Sequence, residues 1–215
     1  FNEFFSDPYF WKTIQNTLGI SFLRLGLGFP VTVTFALLLN ELRSNRYKRF
    51  IQTSTYLPHF FSWAVLGTVI ITWLSEVGPL NEILVNKLGM IKEPVAVLAE
   101  PDYYWFLAVL SNMWKETGWG AIVYLAAISS IDPQLYESAE LDGANRFQRM
   151  WHITLPSILG IISLMLILQI GNLLSTNFDQ TLVLSNALNI DKSMTLDLYV
   201  YRTGISQARF SYATA

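Results

Sequence analysis

Cysteine is absent, and histidine occurs only at His59 and His152. Without thiols there is no disulfide framework, no thiolate nucleophile and no sulfur-based metal site, and two histidines so far apart make a poor metal-ligand set. Charge is scarce too. Asp, Glu, Lys and Arg make up 14% of the 215 residues, where a soluble domain carries roughly a quarter. The 14 Lys+Arg and 16 Asp+Glu leave a net charge of -2, which supplies neither a basic field for nucleic acid nor an acidic tail. No Gly-x-x-x-x-Gly-Lys-Ser/Thr run is present, so the chain has no backbone cradle for nucleotide phosphates. What it has in excess is apolar surface: 52% of residues are hydrophobic and the mean hydropathy is +0.36.

A helix needs about 20 mostly apolar residues to cross a hydrocarbon core of roughly 30 Å. Phe50 to Ser75 and Met150 to Phe178 contain no formal charge; Ile14 to Asn40 is broken only by Arg24, and Tyr103 to Ile131 only by Lys115-Glu116. These runs predict four spans, at about 14–40, 53–75, 103–131 and 155–176. Buried helices of a soluble protein would need polar outer faces, and Ala64 to Leu74 has no charged residue on any face. A membrane barrel would need alternating segments of roughly 10 residues, and the runs here are longer and unalternated. The expectation is an all-α integral membrane protein, multi-pass, in contact with membrane lipid.

The connection Glu41 to Arg49 holds four cations against one acid, so it is placed on the cytoplasmic side by the excess of Lys and Arg there. Glu76 to Asp102 is dominated by acids and is placed outside; alternation then puts 132–152 inside and both 177–206 and 1–12 outside. Between the breakers Gly78-Pro79, Pro94 and Pro101, the amphipathic stretch Leu80 to Met90 is expected to form a short surface helix against a partner or a lid over the bundle. The opening Phe1-Asn-Glu-Phe-Phe and the closing Phe210-Ser-Tyr-Ala-Thr-Ala215 read as cut ends of a longer chain.

The inside loop 132–153 is built to fold. Asp132 suits an N-cap, Pro133 the first helical position, and Gly143 a sharp bend between two short helices. Small Ser138 and Ala139 let a partner surface approach the helix backbone, and Glu137 offers one charge to a basic partner. Without more, this is an interfacial amphipathic helix with an ordinary breaker. The spacing adds more: Glu137-Ser138-Ala139, three residues, Gly143, nine residues, Ile153, one residue, Leu155-Pro156 resembles the EAA loop of binding-protein-dependent ABC importer permeases, departing only by Ser138. Asn16-Thr17, Tyr56-Leu-Pro-His-Phe60, Gly78-Pro-Leu-Asn81, Trp114-Lys115, Tyr124-Leu-Ala-Ala-Ile128, Tyr136, Asp142-Gly143-Ala144 and Tyr212-Ala-Thr-Ala extend the resemblance to the carbohydrate branch, the permeases for oligosaccharides and polysaccharides.

That resemblance implies a type I ABC importer transmembrane-helix bundle over residues 1–215, lacking an N-terminal span and the remainder of its last one. It also implies a bacterial cytoplasmic (inner) membrane setting, a second permease subunit, two copies of an ATP-binding subunit that hold ATP and Mg, and an extracytoplasmic solute-binding protein. No cofactor belongs to this chain, which is a transporter subunit and not an enzyme. The EAA loop would be the coupling helix, with Glu137, Ser138, Ala139, Asp142 and Gly143 docking on the ATPase. A permease for a non-sugar solute, or an exporter or lipid-translocating protein, is the alternative. Within the branch, maltose-like, raffinose-like, uronic-acid and plant-wall saccharides all fit.

Ionisable groups inside a bilayer cost about 2.5–3.5 kcal/mol each and face a bundle interior or a wet cavity. Two readings of Lys115 stay open: it fixes helix packing by pairing with Glu116 or with carbonyls, or it joins Asn112, Trp114, Glu116 and Trp119 along a sugar path whose opposing wall is Gln169, Asn172 and Asn177. Trp11, Trp63, Trp73, Trp105 and Trp151 are expected to anchor span ends.

Overall fold

A computed structural model describes residues 8–213. The nearest-terminal parts of two expectations, the external placement of residues 1–7 and the closing Thr214-Ala215, lie outside the described residues. Among the described residues there is no β-strand. In chain order the main helices are α1 Pro8–Leu23, α2 Phe29–Asn40, α3 Asn45–Tyr56, α4 Trp63–Leu74, α5 Tyr104–Ser129, α6 Pro133–Leu141, α7 Leu159–Gly171, α8 Phe178–Leu184 and α9 Leu196–Tyr201. A π-helical turn at Arg24–Gly28 carries α1 into α2.

Among the described residues two stretches, Tyr9–Asn40 and Trp63–Lys87, are long and apolar enough to cross a membrane, and the pair Arg146–Ser157 with Leu159–Gly171, bent by 61°, makes a third if it is one span. Helix α5 has the length, 26 residues, but Ser111-Asn112 and Lys115-Glu116-Thr117 dilute its apolar character. Two of the four expected apolar runs are not continuous helices. The apolar run 53–75 is not one helix: α3 ends at Tyr56, a 3-10 turn occupies Leu57–Phe60, and α4 restarts at Trp63 behind the extended N-cap Ser62. Pro58 has no N–H to continue the ladder, which breaks the helix there. The run 155–176 is also interrupted, at Ile158 two residues after Pro156, and its helix stops at Gly171. The stretch Trp63–Lys87 itself contains a turn at 75–78, so the straight part, α4, is 12 residues or about 18 Å long.

Contacts divide the chain into two units. One gathers Arg24–Phe60 and Asn112–Gly171. Its core is a stripe of α2, Phe29, Val33, Ala36 and Leu37, against Ala121, Tyr124 and Ile128 of α5, closed by Met150 and Ile158. The spacings of three and four put each set on one helix face. Phe29 meets Tyr124 edge-on at 6.5 Å. Fully buried Ala36 and Ala121 remove side-chain bulk at the crossing.

The other unit combines the chain up to Leu23 with Phe61–Ser111 and the described residues from Asn172 on. Side-chain amides and hydroxyls bind it together, as suits helices in lipid. Asn16 Nδ2 donates to the carbonyls of Asp191 (2.9 Å) and Met194 (3.0 Å), and Thr17 Oγ1 accepts from Leu196 N–H at 2.8 Å. Gln180 Nε2 donates to Ala108 O (2.6 Å) and Ser111 Oγ (2.8 Å). Asn81 closes the segment after α4 by donating to Ser75 O and Val95 O and accepting from Val95 N–H, each at 2.9 Å. The expected helix Leu80 to Met90 is realised as Pro79–Asn81 followed by a π-helical turn Glu82–Lys87. Of the five tryptophans expected to anchor span ends, Trp11, Trp73 and Trp151 are exposed, but Trp63 is buried. Trp105 packs inward, its indole N–H donating to Lys192 O at 3.1 Å beneath the Lys192 ammonium.

Candidate functional site

Loop 132–153 folds as a hairpin with its own internal bracing. Asp132 accepts from Gln134 N–H at 2.9 Å and Pro133 starts α6. The helix ends at Leu141 in a paired C-terminal lock: Ala144 N–H reaches Ala139 O at 2.9 Å, and Gly143 N–H reaches Glu140 O at 3.1 Å. That pattern requires a left-handed residue at Gly143, whose φ is +81°. The second arm, Arg146–Arg149, opens with a reciprocal capping box between Asn145 and Gln148. It continues through a π-helical turn Met150–Thr154 toward Pro156. Arg149 ties the arms together by donating to Glu140 at 2.8 Å, and Tyr136 fastens α6 to the span through Thr154 Oγ1 at 2.9 Å.

The expected docking residues fall on two surfaces of this hairpin. Ala139, Asp142 and Gly143 line a crease of about 330 Å³ between the arms, together with Ala144, Gln148, Arg149, His152 and Ile153. Glu137 and Ser138 do not line the crease and are exposed. Sequence reasoning missed two residues here. Leu141 is 90% exposed and Phe147 69% exposed, large apolar side chains that the folded hairpin itself leaves uncovered. The signal was present: Leu141 stands between Glu140 and Asp142 with nothing local to pack on. The Asn145/Gln148 box was also legible from its spacing.

No atom lies within 4 Å of a Cβ placed on Gly143. The substitution Gly143→Ala therefore costs backbone strain alone, about 1–2 kcal/mol. Hydrogen exchange of the amides from Ala139 to Arg149 is expected to accelerate about tenfold, and Gly143→Asn, which tolerates the left-handed region, to recover most of the protection.

The candidate path residues are divided as well. Lys115 is 6% exposed, and its ammonium donates to His59 O at 2.6 Å and Pro58 O at 3.3 Å, with Glu116 at 3.8 Å. A cation is thus set on the last carbonyls of the turn that breaks 53–75, where the helix end is negative. Glu116 Oε2 lies 2.8 Å from His59 Nδ1, and the imidazole stacks on Trp119 at 4.4 Å with the rings parallel to 2°. Phe60 meets Trp119 edge-on at 5.5 Å. Lys115, Glu116 and Trp119 therefore form one cluster around His59. Asn112 is buried, Trp114 is exposed, and Gln169 and Asn172 are exposed. Asn177 caps α8 by accepting from Gln180 N–H.

Apolar helices broken at prolines, hydrogen-bonded through buried amides and carrying a braced hairpin with uncovered apolar side chains define a membrane-embedded helical protein. The chain belongs to the family of binding-protein-dependent transport system inner membrane components, whose family model matches residues 28–187. Protein LplB of Bacillus subtilis is 42% identical over 216 residues, covering all of this chain and 67% of LplB. The polygalacturonan/rhamnogalacturonan transport system permease protein YteP of the same organism is also 42% identical, covering all of this chain and 66% of YteP. The chain thus spans about two thirds of the length of these curated relatives. Among solved structures, a bacterial ABC transporter involved in the import of the acidic polysaccharide alginate matches with a TM-score of 0.94 and 37% identity, over 99% of this chain and 74% of that one. The same TM-score and identity hold for the bacterial alginate ABC transporter in complex with an alginate pentasaccharide-bound periplasmic protein, covering 99% of this chain and 73% of that one. The fold is that of an ABC importer's transmembrane permease.

Proposed function

We propose that this chain is a multi-pass permease subunit of an ATP-driven importer that moves an oligosaccharide or polysaccharide across the bacterial cytoplasmic membrane by alternating access. A solute-binding protein outside delivers the cargo, a second permease completes the path, and two ATP-binding subunits inside hold ATP and Mg and carry out hydrolysis. The observation that carries the reading is the hairpin 132–153: a preformed bend, braced by Arg149–Glu140 and Tyr136–Thr154, that presents Leu141, Phe147 and Glu137 to a partner. A rigid element can transmit the motion of a docked ATPase to the spans, and it shifts the inward–outward equilibrium only through contacts that differ between the two states. The carbohydrate cargo is supported by relatives named for polygalacturonan/rhamnogalacturonan and alginate transport.

Along the path, Glu116 and Trp119 supply a carboxylate for hydroxyls and a ring for a sugar face, with Asn112, Trp114 and Gln169 as further residues of the same unit. Lys115 takes the packing role behind them, holding the carbonyls of the Pro58–His59 turn.

Reconstitution with the partner subunits and the binding protein tests this. Uptake is expected only with ATP and the binding protein together. The variant Leu141→Asp is expected to weaken ATPase association by about 2 kcal/mol, roughly thirtyfold, by placing a charge in a docking contact. ATP turnover by the chain alone, or crosslinks showing Glu137 to Gly143 with no ATPase neighbour, would overturn it.

A further inference from the structure

Helix α3 is packed on one side and bare on the other. Thr55 on its inner side meets Gly118 of α5, and Lys48 reaches Asn40 Oδ1 at 3.5 Å. Arg46, Tyr47, Arg49, Phe50, Thr53 and Ser54, related by spacings of three and four, form one exposed face, and no residue of α3 is buried. Tyr47 and Phe50 stand 69% and 70% exposed. Arg43 precedes the helix, and no Asp or Glu occurs from Leu42 to Tyr56. Among the described residues no acidic group pairs with Arg43, Arg46 or Arg49. The cations also crowd the helix N-terminus, the positive end of its dipole, where negative counter-charge relieves the repulsion. The face begins a few residues after Asn40, where the stretch Tyr9–Asn40 ends. That is the level at which a membrane-crossing chain leaves the hydrocarbon.

We propose that this face is a binding site for anionic phospholipid head groups of the cytoplasmic leaflet. The guanidinium groups of Arg43, Arg46 and Arg49 take the phosphates, and Tyr47 and Phe50 sit among the glycerol and upper acyl carbons. Arginines interleaved with aromatics on one helix face are what an interface of that charge and polarity selects. A protein partner facing three arginines would need a matching set of acids, whereas an anionic leaflet supplies its charge wherever the helix rests. The inference does not depend on the cargo.

The purified complex, placed in nanodiscs of phosphatidylcholine with about 30% phosphatidylglycerol, is transferred to detergent, and the phosphatidylglycerol that stays bound is counted by native mass spectrometry. The double variant Arg46→Gln, Arg49→Gln is expected to retain this lipid about thirtyfold less tightly. Arg46→Lys with Arg49→Lys is expected to restore most of the retention, because the larger part of the attraction is between net positive charge and the anionic leaflet. Wild type gives an independent readout: bound phosphatidylglycerol should fall as salt rises from about 0.05 to about 0.5 M. Equal retention in the glutamine pair, no restoration by the lysine pair, or salt-insensitive retention would overturn the proposal. Loss of an ATPase or second permease subunit from the glutamine pair would overturn it too, by making the face a protein interface.

Discussion

Lys115→Met is expected to cost most of the assembled transporter while the molecules that survive keep their apparent KM for sugar within about twofold. The Lys115 ammonium is spent on the carbonyls of His59 and Pro58, inside the packed unit, and lies 3.8 Å from Glu116. Methionine fills a similar volume but donates nothing. It leaves two carbonyls at the helix break without their cation and Glu116 with only His59, a loss of about 1–3 kcal/mol for buried acceptors left unsatisfied. Yield by size-exclusion chromatography and initial uptake rates over a range of sugar concentrations separate the two readings of this residue. Normal assembly with a KM raised about tenfold would move Lys115 onto the sugar path.

Gly118→Val is the second large effect, expected to destabilise the packing of α3 on α5 by about 3 kcal/mol, with loss of folded protein after detergent extraction. A Cβ on Gly118 falls inside the contact radius of the Thr55 carbonyl, a backbone group at the end of α3 that cannot swing aside as a side chain would, and 2.8 Å from Thr55 Cβ. Thr55 is itself committed, its hydroxyl donating to Ile51 O at 2.8 Å. Gly118→Ala should show the same defect at reduced size. A melting temperature unchanged by both variants would show that the two backbones do not approach closely at this point.

Several residues that mark the chain's kinship by their identity turn out to have local structural duties. Asn16 and Thr17 satisfy backbone groups between 191 and 196, Asn81 closes the segment that follows α4, Tyr136 fastens the hairpin, and Gly143 holds the left-handed turn. Their spacing was readable, yet, apart from the local turn at Gly143, the bonds were not, because each partner lies at a separation that only the folded chain sets.

Membrane residence, the all-helical class and the hairpin with its cap and bend were determined by the sequence alone. Each rests on local physics: a charge-free run has no place in water, and Asp132, Pro133 and Gly143 act on the backbone within a turn of themselves. The tertiary structure decided where the apolar runs break and what the polar groups inside them do. The run 53–75 and the pair Lys115-Glu116 look unrelated along the chain. Pro58 opens the helix, and the freed carbonyls of Pro58 and His59 take the ammonium of Lys115 from another span. A buried lysine must find acceptors, and which acceptors it finds depends on the approach of two helices allowed by Gly118. The exposure of the Arg46–Phe50 face was likewise decided only in three dimensions, because a side chain is uncovered only relative to everything that has packed elsewhere.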